Sequence, residues 1–356
     1  MRNMLKLPSL LIKGFRGFRS LKIERLGRVN LIVGKNSSGK SSLLEALRLY
    51  ACEAHPAVIM EILEARNEVI DLAEGIQLAR SKEPVKFPAI WFLFHGYPQD
   101  IEDVSIIEIG PVSADRVLKI GVSGPALKDK RAFGKRRWHG ISAVIEDRHR
   151  IASLDSFSSY LLESEDIFSI PCVSVSRTGT DRFNRVVRLW DRTALTSKES
   201  LVEKGLRLLS PQVQRVSFIG EERRLGRIPV VKVEGLEKPL PLRNLGDGVN
   251  RVFEIVLAAV NSEDGLLLVD EMENGLHYSI QTQVWEMVFQ LARELNIQVF
   301  ATTHSWDCVK AFQEAAANQK EDGLAIRLTK MDAEVVADIF TPDELAIATR
   351  DEIEIR

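Results

Sequence analysis

The stretch Gly34-Lys35-Asn36-Ser37-Ser38-Gly39-Lys40-Ser41 limits what this chain can fold into more than any other. It has the pattern G-x-x-x-x-G-K-[ST], follows the apolar run Val29-Asn30-Leu31-Ile32-Val33, and leads into Ser42-Leu43-Leu44-Glu45-Ala46-Leu47-Arg48-Leu49. Strand, glycine-bounded turn and amphipathic helix, in that order, make the context a P-loop requires. In such a turn the backbone N–H groups converge on phosphate oxygens, and the helix N-terminus adds the positive end of its dipole. Lys40 is expected to reach the β- and γ-phosphates, and the Ser41 hydroxyl to ligate Mg²⁺. Gly34 to Ser42 form the expected phosphate-binding set, and the implied ligand is a nucleoside triphosphate.

At 356 residues and 45% hydrophobic, the chain can bury one large core or two modest ones. Its formal net charge of -2 supplies no global field toward nucleic acid or a membrane, so such contacts would need a local patch. Cys52, Cys172 and Cys308 lie far apart with no CxxC spacing, which argues against a disulfide framework or a zinc site. The N-terminus lacks an apolar signal core, and no apolar run approaches the ~18 residues of a membrane span. The cytoplasm is the expected location, with no membrane contact.

Along the chain, strands are expected at Leu10–Phe15, 21–25 and 28–33, then the P-loop helix and a helical region to about Ala79, interrupted at Pro56. Short strands at 89–94, 104–109, 117–122 and 141–145, joined without helices, suggest an antiparallel sheet. Helices are expected at 181–191 and 198–209, a hairpin at 213–219 with 228–233, and a helix near 249–260. A strand at 265–271, a helix over 279–295 and a strand at 298–303 complete the pattern. The P-loop and the elements after Leu240 must meet in space, so the middle of the chain reads as an insertion into one core. The expected parts are 1–125, an inserted mixed lobe at 126–212, and 213–356.

Gly265-Leu266-Leu267-Leu268-Val269-Asp270-Glu271 is a continuous apolar run ending in two carboxylates, as suits a strand buried in a parallel sheet. Asp270 is expected to hold Mg²⁺ or its water, and Glu271 to act as general base toward the attacking water. The bland alternative is that these acids cap the next helix. Gly246-Asp247-Gly248 opens a helix with N–H groups free to face an anion, and no role within its own chain is evident. His304, in Ala301-Thr302-Thr303-His304-Ser305, ends a strand where an imidazole can contact the γ-phosphate; a plain structural role is its alternative.

Together these residues resemble the ABC-type ATPases, and within them the SMC/RecF/OLD-like branch. The opening Ile12-Lys13-Gly14-Phe15-Arg16-Gly17-Phe18 with Val29-Asn30-Leu31-Ile32-Val33-Gly34 is similar to the start of that branch. Asp270-Glu271-Met272-Glu273-Asn274-Gly275-Leu276-His277 resembles its Walker B and D-loop, Leu245-Gly246-Asp247-Gly248 its signature, and Thr303-His304-Ser305 its H-loop. The resemblance implies an α/β fold, a P-loop NTPase with an ABC-ATPase-like core: a mixed sheet flanked by helices, with a β-rich and helical insertion. It also implies ATP and Mg²⁺ as cofactors and a homodimer, with Gly246, Asp247 and Gly248 of one chain facing the P-loop of the other. Two departures stand out. Gly246 occupies a position that usually carries serine, and no clear Q-loop glutamine is present, His95 and Gln99 being the candidates.

About fifty residues follow His304, too few for the Toprim nuclease domain found in the OLD family, so a separately encoded effector, such as a nuclease, is the expected partner. Two basic clusters bear on DNA. One runs from Lys128 to His139 and on to Arg148-His149-Arg150, with Phe133 and Trp138 interleaved; the other joins Arg215, Arg223, Arg224 and Arg227. A solvated face is the alternative for both. Arg182, Arg185, Arg188 and Arg192 read as a polar helix face opposite Phe183 and Trp190. The resulting reading is an ATP-hydrolysing switch in genome maintenance or anti-phage defence. Its competitors are a RecF-like DNA-binding repair clamp and an ATP-dependent scaffold or sensor with very slow turnover.

Overall fold

The computed structural model describes residues 5–71, 86–98, 106–113, 116–123, 140–153, 168–176, 182–220, 226–317, 319, 322–332 and 334–355. Strands β1 (Leu10–Phe15), β2 (Phe18–Ile23) and β3 (Val29–Val33) precede helices α1 (Lys40–Ala51) and α2 (Pro56–Glu64). There follow β4 (Val69–Asp71), β5 (Lys86–Pro88), β6 (Ile107–Gly110), β7 (Leu118–Ser123), β8 (Gly140–Ile145) and β9 (Arg148–Ser153). Next come β10 (Cys172–Val175), α3 (Arg182–Thr193), α4 (Glu199–Leu209), β11 (Val213–Gly220), β12 (Arg227–Val233) and β13 (Leu240–Pro241). The chain then runs through α5 (Asp247–Val260), β14 (Leu266–Val269), α6 (Tyr278–Glu294), β15 (Gln298–Thr302) and α7 (Trp306–Ala316). It ends with β16 (Gly323–Met331), β17 (Glu334–Phe340) and α8 (Pro342–Arg350).

The sheet that carries the P-loop has the order β10-β14-β15-β3-β16-β17. Its neighbours pair in parallel except β16 with β17. Side chains along its strands alternate between two cores, which is why these strands read as unbroken apolar runs. Leu31 and Val33 of β3, Leu267 and Val269 of β14, and Val299 of β15 join a core shared with α5, α6 and α7. Ile32, Leu266, Leu268 and Phe300 join the other, shared with α1, α2 and a second sheet. Burying each such side chain contributes about 1.5–3 kcal/mol.

The second sheet is antiparallel throughout, in the order β2-β1-β6-β7-β8-β9, as the short strands suggested. The 126–212 stretch supplies β8 and β9 to this sheet and β10 to the P-loop sheet. The expected hairpin at 213–233 is present as β11 and β12.

Three expectations need correction. Residues 89–94 form no strand: Ile90–Leu93 is a 3₁₀ turn. An apolar run of this length does not distinguish strand from buried helix by pattern alone, and the buried pair Ile90 and Leu93 has the i, i+3 spacing of a 3₁₀ face. The helical region stops at Glu64 and is followed by β4, while 72–79 lie outside the described residues. Strand β10 was missed because four residues carry too short a pattern; pairing with β14 creates it.

The turn between β1 and β2 explains why the opening motif sits so near the P-loop. Arg16, 3% exposed and at φ 48°, places its Nε 2.6 Å from Glu45 of α1 and its Nη1 2.9 Å from Glu68. Burial pushes the Glu45 carboxyl up, against the opposing pull of Arg16 and Arg66. Phe18 lies directly beneath Gly39, where an added Cβ would come within 2.7 Å of the ring.

Candidate nucleotide site

At the end of β3 the chain turns through Gly34 at φ 149°, where a side chain would strike the Leu328 carbonyl at 2.5 Å. Lys35, Asn36 and Ser37 form an exposed crest, with Ser37 left-handed at φ 64°. Ser38 turns inward: it is 3% exposed, and its Oγ has no hydrogen-bond partner. Gly39, at φ 100°, caps α1 and frees the N–H groups of its first turn. Lys40 Nζ donates to the carbonyls of Gly34 at 2.6 Å and Lys35 at 3.0 Å, so the ammonium lies across the loop. Burial lowers the Lys40 pKa below the usual lysine value, and the Asp270, Glu273 and Glu271 carboxylates oppose that shift. Ser42 Oγ accepts a 3.2 Å bond from Arg66.

The second half of the site comes from the ends of β14 and β15. Ser41 Oγ lies 3.1 Å from Asp270 Oδ2 although the residues are 229 apart in sequence. Thr302 Oγ1 donates to Asp270 Oδ1 at 2.6 Å and accepts the Glu271 N–H at 2.9 Å. Glu271 has φ 49°, a left-handed backbone that costs a non-glycine residue of order 1 kcal/mol or more. Arg251, 5% exposed on α5, holds that turn by donating from Nη2 to the carbonyls of Asp270 at 2.7 Å and Glu271 at 2.8 Å. Asn274 Nδ2 donates to Glu271 Oε2. His304 Nδ1 lies 4.0 Å from Glu271 Oε1 and 3.2 Å from Glu273 Oε1.

The structure thus brings Lys40, Ser41, Asp270, Glu271 and His304 to one end of the parallel sheet. Arg251, Thr302, Asn274 and Glu273 were not singled out from the sequence as site residues. Arg251 carried one usable signal, a lone arginine on the apolar face of a helix that opens at Gly-Asp-Gly. For Thr302 nothing distinguished it from Thr303 beside it. Of the Q-loop candidates, His95 places Nδ1 2.8 Å from the Arg16 carbonyl oxygen, and Gln99 lies outside the described residues.

Comparison with known proteins agrees with this geometry. Residues 135–307 match the family described as "AAA domain, putative AbiEii toxin, Type IV TA system", and residues 5–79 match "AAA ATPase domain". An ATP/GTP phosphatase of Helicobacter pylori is 23% identical over 346 residues, covering 86% of this chain and 88% of that protein. The chain is an ATPase with an ABC-ATPase-like fold. In fold it is similar to an SMC head crystallised with the C-winged helix domain of ScpA, with TM-score 0.50 and 14% identity over 95% of this chain and 99% of that one. A local match to the DNA replication and repair protein RecF of Clostridioides difficile is 44% identical over 43 residues, 12% of each chain.

In this ATPase the Gly246-Asp247-Gly248 stretch forms the start of α5, with Gly246 at φ 95°. The stretch is also packed within its own chain. A Cβ on Gly248 would meet the Gly275 carbonyl at 3.3 Å, and the other nearest atoms belong to Ile280 and Leu209 rather than to the P-loop. Gly275, at φ 74°, abuts Asp247 in turn. The ATPase therefore sets its signature-like turn against its own 271–276 loop.

Three described arginines of the basic clusters face carboxylates, whereas Arg150 Nη1 is buried without a hydrogen-bond partner. Arg148 Nη2 lies 2.7 Å from Glu53, Arg227 Nη1 2.6 Å from Asp191, and Arg215 Nε 3.8 Å from Glu199. The run from Lys128 to His139, with Phe133 and Trp138, and the pair Arg223 and Arg224 lie outside the described residues. Trp190 of α3 is buried and stacks on Phe218 with ring centroids 5.4 Å apart. No described helix is long and apolar enough to cross a membrane.

Proposed function

We propose that this ATPase is a Mg²⁺-dependent switch that dimerises around ATP and controls a separately encoded effector in genome maintenance or anti-phage defence. The observation that carries the reading is the meeting of Ser41 and Asp270 at 3.1 Å beside Lys40. Hydroxyl and carboxylate oxygens are the hard donors that suit Mg²⁺. When bound, the metal neutralises charge on the β- and γ-phosphates. Lys40 and the N–H groups from Gly34 to Ser42 hold the phosphates. Glu271 takes a proton from the water that attacks the γ-phosphorus while the bond to the β-phosphate oxygen breaks. Asn274 and the Arg251-held turn keep its carboxylate aimed. His304 contacts the γ-phosphate and senses its loss.

Support for the dimer comes from the exposed N-terminus of α5, whose N–H groups suit a γ-phosphate held by a second chain. Support for the effector comes from the matched family's description, which names a toxin–antitoxin system. The test is light scattering with ATP in the Glu271→Gln background, with and without Asp247→Arg. That probe is chosen because the Asp247 side chain is exposed, whereas a side chain at Gly248 would disrupt the chain's own packing on Gly275. The parent is expected to double in mass with ATP, and Asp247→Arg to remain monomeric with ATP binding intact. Equal masses would end the sandwich reading.

A RecF-like clamp is the second reading, supported by the local match to RecF. The pairing of Arg148, Arg215 and Arg227 with carboxylates weighs against it. A salt-dependent affinity for duplex DNA would favour it.

A further inference from the structure

Glu273 is the one buried carboxylate of the site to which the proposed hydrolysis gives no task. Its side chain is 10% exposed, against 38% for Glu271 and 52% for His304. Oε1 accepts the His304 backbone N–H at 3.0 Å and lies 3.2 Å from Nδ1 of the same residue. Oε2 is buried with no hydrogen-bond partner. The backbone is fixed by the Leu276 N–H, which donates to the Glu273 carbonyl at 2.9 Å. Among the carboxylates that act on the half-buried Lys40 ammonium, Glu273 ranks with Asp270 and Glu271.

A buried, half-satisfied carboxylate lowers stability, so a residue kept only to cap a strand end would be better served by a shorter neutral acceptor. A carboxylate facing both the N–H and the ring of one histidine does something else. It decides which ring nitrogen carries the proton, because that choice follows the hydrogen bond the other nitrogen makes.

We propose that Glu273 is a positioning residue for ATP hydrolysis, accepting Nδ1–H of His304 so that Nε2 is the nitrogen offered to the γ-phosphate. The backbone bond sets where the ring starts, and the ring bond sets its rotation and tautomer. A histidine free to rotate would present either nitrogen and respond to the phosphate less selectively. This role rests on the assignment of His304 to the γ-phosphate, but the pair itself is testable without nucleotide.

The 356-residue chain labelled with ¹⁵N at its six histidines is examined by NMR, and His304→Ala identifies the signal. In the wild type the His304 proton is expected on Nδ1, and in Glu273→Ala on Nε2. Melting of Glu273→Ala is expected close to the wild-type temperature, because losing the unpartnered Oε2 offsets losing the acceptor of the exposed His304 N–H; a fall larger than one hydrogen bond accounts for would mark Glu273 as merely structural. In turnover, Glu273→Ala is expected to lower kcat about 10- to 100-fold with little change in KM. The double variant with His304→Ala should be no slower than the slower single variant. A wild-type proton on Nε2, an unchanged tautomer in Glu273→Ala, or losses that multiply in the double variant would each overturn the proposal. If His304→Ala leaves kcat intact while the tautomer moves as expected, the γ-phosphate assignment fails and the Glu273–His304 pair stands.

Discussion

At the N-terminal ends of β3 and β15 the buried amides are fully paired, whereas at the C-terminal ends of the P-loop sheet buried polar atoms are left without partners. Asn30 donates to the Gly27 and Val299 carbonyls at 2.9 and 3.1 Å and accepts the Gly27 N–H at 2.8 Å. Gln298 accepts the Leu7 N–H at 2.9 Å and donates to the carbonyls of Leu7 and Gly27 at 2.7 and 2.9 Å. At the other end Ser38 Oγ and Glu273 Oε2 are unpartnered, and Glu271 is held left-handed at φ 49°. The difference teaches how one sheet divides its tasks. One end locks the N-terminal segment and the strands together. The other keeps polar groups poised for a ligand, and packing in the two cores offsets the cost.

The largest test of this contrast is Glu271→Gln, which should lower kcat by about 10²–10⁴-fold with ATP binding retained. Single-turnover phosphate release measures it, and an unchanged rate would remove Glu271 as the base. At the opposite end Gln298→Leu should leave kcat per folded molecule unchanged while destabilising the fold by about 3 kcal/mol, because Leu7 and Gly27 lose their partners. Urea unfolding reads the loss, and a change in kcat would break the division between the two ends.

A smaller effect is expected from Thr302→Val, which removes the hydroxyl joining Asp270 to the Glu271 N–H. Turnover should fall about tenfold and stability by about 1 kcal/mol, since one neutral hydrogen-bonding group is lost. If stability falls without turnover, Thr302 belongs with the structural end. The smallest effect is expected from Ser41→Ala, which should raise the Mg²⁺ needed for half-maximal activity about fivefold, the equivalent of ~1 kcal/mol. A magnesium titration at saturating ATP decides this, and an unshifted midpoint would detach Ser41 from the metal.

Much of the site was legible because its residues sit at the ends of strongly patterned elements. The P-loop announces itself by glycines needed at φ 149° and 100°, and Asp270 and Glu271 by closing an apolar run. Arg251, Thr302 and Glu273 were not legible, because each acts through a partner 19 to 31 residues away and carries no local pattern of its own. The signature-like turn was legible as a motif but not in its packing, since its contact with Gly275 forms only when α5 meets the loop after β14.

The sequence by itself determined the P-loop, the acid-ended strand and the α/β class, because period and turn chemistry are short-range properties that survive without neighbours. Only the tertiary structure decided that Cys172–Val175 is a strand, that Ile90–Leu93 is not, and that Arg16 reaches under α1 to Glu45. It also decided which carboxylate faces His304. Those outcomes depend on groups remote in sequence being desolvated together, where pairing energies rise above local preference.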